Sequence, residues 1–104
     1  MPHLSDIPVK HTIPGFAGRI IHGDKSTLAF WDILKGSASP EHHHIHEQMT
    51  YVASGEIEMV IGGAKHHLKE GDVVVIPSNT PHSAFAITDV RLIDSFAPAR
   101  DDYR

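Results

Sequence analysis

Short β-forming segments separated by turn residues follow one another along most of this chain, and hardly any stretch has a helical period. Glu56–Ile61 alternates polar and apolar residues, which is typical of a half-buried strand, and Gly62-Gly63 predicts a tight hairpin into residues 64–68. Val73–Ile76 is a run of β-branched residues, which predicts a strand buried on both faces. Strands of this length and spacing predict an all-β sandwich or closed barrel.

The same signals organise the rest of the chain. They predict strands over 19–22, 28–34, 48–52 and 90–96, with turns over 23–25 and 36–40. Residues 1–18 contain three prolines and two glycines, which predicts an N-terminal arm with at most short edge strands. The 104 residues show no internal repeat and no linker, so we expect one domain spanning residues 1–104.

Composition argues against several classes of protein. The formal net charge is −4 and the nine lysines and arginines are scattered, which argues against a nucleic acid as partner. The absence of cysteine excludes disulfides and thiolate metal sites. No stretch approaches the roughly 20 apolar residues of a membrane span, and residues 1–10 lack the apolar segment of a signal peptide. We therefore expect a soluble, cytoplasmic protein with no membrane partner.

Histidine is unusually frequent: the chain has ten, and four of them fall between His42 and His46. Alternate residues of a strand point to the same face, so His42 and His44 can share one metal ion. His46 falls on that face too, so periodicity leaves the pairs 42/44 and 44/46 both open. Imidazole ligands suit Zn, Fe, Ni, Mn and Cu. His22 can face either way, and the histidines expected to be solvated are His3, His11, His66 and His67.

Two patterns place these histidines in register with a known family. The first follows the spacing G-x5-H-x-H-x3-4-E-x6-G, and its positions are occupied by Gly36, His42, His44, Gln48 and Gly55. The second follows G-x5-P-x-G-x2-H-x3-N, and its positions are occupied by Gly71, Pro77, Asn79, His82 and Ala86. The two motifs, in this order, resemble those of the cupin superfamily. The resemblance covers roughly residues 31–96.

The resemblance implies a single-domain cupin β-barrel, a jelly roll or double-stranded β-helix, with residues 31–96 as the barrel core. It also implies one divalent transition metal (Zn, Ni, Fe or Mn) held by His42, His44, Gln48 and His82. Gln48 stands where the motif has glutamate, so the site is either a relic with reduced affinity or a more electrophilic Lewis acid. Glu47 is an alternative ligand, but it lies one position early in the motif. Asn79, in place of glycine, tolerates a left-handed backbone.

The C-terminal segment carries a second resemblance. Residues 94–103 follow the pattern D-x-F-x-P-x-R-x-D-Y, which is similar to the ending of small cupins of pectin and alginate breakdown. Those proteins convert 4,5-unsaturated monouronates into linear keto-sugar acids. The resemblance implies that Asp94, Phe96 and Arg100 line the pocket as proton carrier, packing surface and carboxylate clamp. The alternative for this tail is a solvated end in which Arg100-Asp101-Asp102 form surface ion pairs.

Three functions remain open on the sequence. The first is a metal-dependent isomerase or lyase that acts on an unsaturated sugar acid, the second a cupin dioxygenase, and the third a non-catalytic cupin that binds a small molecule. The tail pair of Asp94 and Arg100 favours the sugar-acid enzyme, and Gln48 counts against the dioxygenase. Since small cupins usually pair, we also expect a homodimer, with the arm of residues 1–18 crossing to the partner.

Overall fold

The computed structural model describes residues 2–104, and strands account for most of them. The strands are β1 Val9–His11, β2 Phe16–His22, β3 Thr27–Ile33, β4 Ala38–His42, β5 Glu47–Ser54, β6 Glu56–Ile61, β7 Ala64–Lys69, β8 Val73–Ile76, β9 His82–Ala86 and β10 Val90–Ala97. Short 3-10 helices cover Leu4–Asp6 and Asp101–Tyr103. Residue 1, the start of the predicted arm, lies outside the described residues.

The strands form two antiparallel sheets that face each other. One sheet has the order β1-β2-β3-β10-β5-β8 and the other the order β4-β9-β6-β7. Inward side chains alternate with outward ones, so Trp31 and Leu92 of the first sheet and Ile57 and Met59 of the second are buried in one apolar cluster. The all-β barrel prediction is therefore confirmed. Among the described residues, no helix is long and apolar enough to cross a membrane.

The hairpin predicted at Gly62-Gly63 forms, and the strands on either side of the predicted turn over 23–25 also pair. Strand β2 pairs with β3, with Arg19 opposite Phe30, and the tight β6–β7 hairpin places Glu58 opposite His67. Gly62 and Gly63 both have positive φ, 55° and 83°, which the two central residues of a type I′ turn require. These connections are local in sequence, and the turn residues alone are sufficient to predict them.

Several predictions about single segments are wrong. Val73 and Val75 are 62% and 53% exposed, because the outer face of β8 is not covered; only one face of this strand packs on the interior. The predicted turn over residues 36–40 is shorter, since β4 begins at Ala38. Strand β4 then ends at His42, so the histidine segment is not one regular strand. Strand β9 was not predicted.

The N-terminal arm joins the first sheet more than its prolines suggest. Strand β1 pairs along β2, with Val9 opposite Arg19, and β2 itself begins at Phe16. Gly18 on β2 leaves room for the indole of Trp31: a Cβ at this position would lie 2.5 Å from a ring carbon of that side chain. The arm therefore ends in a strand that closes one side of the barrel over its largest core residue.

Candidate metal centre

Three histidines meet at one end of the second sheet. His42 ends β4, His82 begins β9, and the two residues are paired partners across these strands. His44 follows in the loop after β4, and ring nitrogens of all three lie within 4.8 Å of one another. The structure thus brings His42, His44 and His82 together, while His46 lies outside this group and packs near Phe96.

Each of the three imidazoles is oriented by a main-chain carbonyl. Nδ1 of His42, of His44 and of His82 lies 2.9, 2.9 and 2.8 Å from the carbonyl oxygen of a residue two positions away. A carbonyl only accepts hydrogen bonds, so Nδ1 carries the proton and Nε2 keeps a lone pair. Nε2 of His82 is buried and has no hydrogen-bond partner. Such an arrangement fits a shared cation, because the three lone pairs converge and that of His82 is otherwise buried without a partner.

The loop that carries His44 is fastened to the turn before β9. The N–H of Asn79 donates to the carbonyl of His44 at 2.7 Å, and the hydroxyl of Ser78 donates to the carbonyl of Ile45 at 2.6 Å. Asn79 has a φ of 59°, the left-handed backbone predicted for this replacement of glycine. The turn therefore fixes the position of His44, although this histidine lies outside any strand.

Burial keeps two of these histidines neutral. Burial, together with the positive charge of Arg100 and the neighbouring His82, lowers the pKa of His44 to about 4. Burial also lowers the pKa of His82. Neutral imidazole is the form that binds a metal ion, so at neutral pH both rings are ready to act as ligands.

Gln48 directs its side-chain oxygen at the histidines. Its Oε1 lies 3.2 Å from Nε2 of His44, and its Nε2 donates to the hydroxyl of Thr50 at 3.0 Å. Two lone-pair atoms thus face each other. For comparison, two ligands at about 2.1 Å from a tetrahedral ion lie about 3.4 Å apart. Gln48 therefore fits as a fourth donor, whereas Glu47 is exposed and alternates to the opposite face of β5.

Asp94 lies directly behind this glutamine. The carboxylate is buried on β10 and accepts a 2.6 Å hydrogen bond from the hydroxyl of Thr50. Burial raises its pKa to about 6, and hydrogen bonds from Thr50, Gln48 and Trp31 oppose the rise. A carboxyl group with this pKa can take up and release a proton near neutral pH.

Arg100 is held in an aromatic slot. Only 8% of the residue is exposed, and its guanidinium lies 4.9 Å from the ring centre of Phe96 and 4.0 Å from that of Tyr103. Nε and Nη2 donate to the two carboxylate oxygens of Asp102 at 3.2 and 2.7 Å, and this fork lowers the pKa of Asp102. The predicted alternative of surface ion pairs fits the exposed pair of Arg104 with Asp101, but not the buried Arg100.

Several of these side chains line one cavity of about 260 Å³. Its lining includes, among others, His42, Gln48, His82, Asp94, Phe96 and Arg100. Apolar walls with a few convergent polar groups are typical of a small-molecule site. The cavity is slightly smaller than the usual lower limit of about 300 Å³ for such sites, so it suits a small ligand.

Comparison with known proteins identifies the family. Residues 29–96 match the family model of the cupin domain. The chain belongs to the cupin family. A pectin degradation protein, KdgF, of Dickeya dadantii (strain 3937) is 41% identical over 66 residues, which are 62% of this cupin and only 60% of that relative. The match thus spans less than two thirds of the relative's length.

Two solved structures extend the similarity to nearly the whole cupin. The structure of KdgF from Halomonas sp. has a TM-score of 0.90 at 31% identity and covers 96% of this chain and 94% of its own. An RmlC-like cupin from Shewanella frigidimarina NCIMB 400 has a TM-score of 0.94 at 26% identity and covers 99% and 94%. The predicted resemblance to small cupins of pectin degradation is therefore confirmed.

Sequence reasoning missed two residues of this cupin's site. Tyr103 packs on Arg100, Phe96 and Trp31 and lines the cavity; its only signal was its place at the end of the tail pattern. Thr50 bridges a candidate ligand and Asp94, and it was detectable because it lies two positions after Gln48 on the same strand face.

Proposed function

We propose that this cupin is a metal-dependent enzyme of the isomerase or lyase type that opens 4,5-unsaturated monouronates to linear keto acids. The proposed metal ligands are His42, His44, Gln48 and His82. The observation that carries the proposal is one cavity lined by His42, Gln48 and His82 together with Asp94 and Arg100, in a chain similar to two KdgF proteins. His44 lies beside this cavity, with a ring nitrogen within 4.8 Å of those of His42 and His82.

The reaction is a net isomerisation and needs no oxidant. The C1 hydroxyl of the cyclic sugar loses its proton while the bond from C1 to the ring oxygen breaks, which leaves an aldehyde and an enolate. The enolate takes up the same proton at C4 and becomes the 2-keto acid. A bound divalent cation supplies Lewis acidity toward the substrate oxygens. Asp94 takes the hydroxyl proton and returns it to C4, a role for which its buried position beside the donor set is suited.

Arg100 binds the substrate carboxylate in this proposal. Its planar fork matches a carboxylate, and its stacking between Phe96 and Tyr103 holds the plane in one orientation. Asp102 already accepts two hydrogen bonds from this fork. The substrate carboxylate must therefore take one or both positions from Asp102, while Phe96 offers the sugar ring a flat packing surface.

Proton NMR of the ring-to-chain conversion tests the proposal with unsaturated uronates derived from galacturonate and from mannuronate. The metal-replete protein should accelerate the conversion over the spontaneous rate. Asp94→Asn should cut turnover with unchanged metal content, and Arg100→Lys should chiefly raise KM. Arg104→Lys, in an exposed ion pair of the same tail, is the matched control and should change neither. Binding of the uronate without acceleration would mean that this cupin binds the sugar acid but does not convert it.

We also propose a homodimer that buries the outer face of the six-stranded sheet. Exposed apolar side chains lie there on three of its strands: Val73, Val75, Met49, Tyr51 and Leu28. Val73 is paired with Tyr51 and Val75 with Met49, so they form a continuous patch rather than scattered contacts. Light scattering at micromolar concentration should give twice the monomer mass, and Tyr51→Lys should lower it. A monomeric wild type would rule the dimer out.

A further inference from the structure

Thr50 occupies the point between the donor set and Asp94. The residue is fully buried on β5, paired with Asp94 of β10 on one side and with Val74 of β8 on the other. Its hydroxyl makes two hydrogen bonds, one to Oδ1 of Asp94 at 2.6 Å and one from Nε2 of Gln48 at 3.0 Å. Both partners are buried as well, so water does not compete for these contacts.

The hydroxyl has one proton, and this restricts what Gln48 can present to it. The short contact to a carboxylate oxygen uses that proton, so only lone pairs of the hydroxyl remain to face the amide. The amide must therefore present its NH2 group to Thr50. Its oxygen then points the other way, toward Nε2 of His44 at 3.2 Å.

Without the hydroxyl, Asp94 is the one remaining acceptor for the NH2 group, and the opposite orientation of the amide competes with the original one. If the amide of Gln48 is rotated by 180° about its Cγ–Cδ bond, its NH2 group donates a hydrogen bond to the lone pair on Nε2 of His44. That hydrogen bond would occupy the lone pair of one ligand and direct the oxygen of another away from the ion. A metal ion would then have to break the bond and rotate the amide before binding.

We infer that Thr50 is a positioning residue whose hydroxyl fixes the amide of Gln48 so that the oxygen, and not the NH2 group, faces the three histidines. The inference rests on the proposed metal site, but not on the proposed substrate. Outer partners of metal ligands typically change metal affinity by about 10- to 100-fold when they are removed, and we expect a loss in this range for Zn²⁺ with Thr50→Val. Thr50→Ser keeps the hydroxyl and should keep the affinity.

Zn²⁺ titration of the wild type, Thr50→Val, Thr50→Ser and the same Val change in a Gln48→Ala background tests this inference. Because Gln48 is the only glutamine in the chain, labelling with 13C,15N-glutamine gives a single side-chain carbonyl signal in NMR. Zn²⁺ should shift that signal in the wild type and in Thr50→Ser at concentrations that leave it unchanged in Thr50→Val. In the Gln48→Ala background, Thr50→Val should cause no further loss of affinity.

Three results would overturn the inference. Equal Zn²⁺ affinity and an equal carbonyl shift in the wild type and Thr50→Val would mean that Asp94 alone orients the amide. An equal loss of affinity from Thr50→Val with and without Gln48 would mean that the threonine acts through packing. A wild type that binds none of Zn²⁺, Ni²⁺, Mn²⁺ and Fe²⁺ would remove the metal site and the inference together. If Thr50→Val does not fold, Thr50→Ala replaces it as the variant without a hydroxyl, and a wild-type carbonyl signal that bound Zn²⁺ does not shift would also overturn the inference.

Discussion

Gln48→Glu restores the carboxylate of the usual cupin motif, and we expect it to destabilise the metal-free protein. Thr50 would lie between the introduced carboxylate and Asp94. In the wild type its hydroxyl links the two side chains through hydrogen bonds of 3.0 Å to Gln48 and 2.6 Å to Asp94. At a separation of about 5.5 Å and an effective dielectric constant of about 20, two negative charges repel by about 3 kcal/mol. Thr50 would also face two acceptors with one proton, which costs about 1 kcal/mol more.

Urea denaturation of chelator-treated protein at pH 8 measures this cost. The pKa of Asp94 is about 6 beside the neutral amide, and a repulsion of about 3 kcal/mol would raise it by about two units, so at pH 8 the two carboxyl groups share a proton part of the time. The free energy of unfolding should therefore fall by about 2 to 3 kcal/mol relative to the wild type. Added Zn²⁺ should recover more stability in the variant than in the wild type, because a carboxylate binds the ion more tightly than an amide.

A double variant separates charge repulsion from other effects of the substitution. Asp94→Asn removes the second carboxylate, so in that background Gln48→Glu should lose no more than about 1 kcal/mol. A loss below about 1 kcal/mol for Gln48→Glu alone would refute the reasoning. It would mean that the two side chains do not share Thr50 in solution. An equally large loss in both backgrounds would refute the electrostatic origin.

Three further predictions concern other parts of the molecule. Elemental analysis should find about one divalent ion per chain in the wild type and much less in His82→Ala. Equal metal contents in the two proteins would contradict the assignment of His82 as a ligand. Asp102→Asn frees the fork of Arg100 and should lower KM for the unsaturated uronate by about tenfold, the value of one charge-assisted hydrogen bond; an unchanged KM would show that the two carboxylates do not compete. Gly18→Ala should cost about 1 to 3 kcal/mol in urea denaturation because its Cβ meets the ring of Trp31; an unfolding curve identical to that of the wild type would contradict this packing.

The parts of the fold that depend on neighbouring residues could be predicted from the sequence, and the parts that depend on distant residues could not. The β6–β7 hairpin depends on two adjacent glycines, and so it was predictable without any tertiary information. The exposure of Val73 was not, because β-branched residues favour strands whether or not a second layer covers them. Strand β9 follows two prolines and carries His82 at its first position, so no clear alternation announces it.

In the candidate site, too, some residues could be predicted from the sequence and others could not. The motif spacing predicted His42, His44 and His82, and these residues do lie together, although the period-two argument assumed a regular strand through position 46. Tyr103 reaches Trp31 across most of the chain, and only the closed barrel brings the two rings within 6.1 Å. Contacts of this kind depend on how the whole barrel closes, which no single segment of sequence encodes.

The supports of the three imidazoles have a bearing on how this protein tolerates mutation. Each ring is steered by a peptide oxygen two positions away, an atom that any amino acid supplies. These carbonyl contacts therefore do not depend on which side chains occupy positions 40, 46 and 80, even though His46 is itself buried against Phe96. The cavity wall is different, because Phe96, Arg100 and Tyr103 act through their side chains. Substitutions in this wall should thus change what the cavity binds while the main chain continues to orient the three imidazoles.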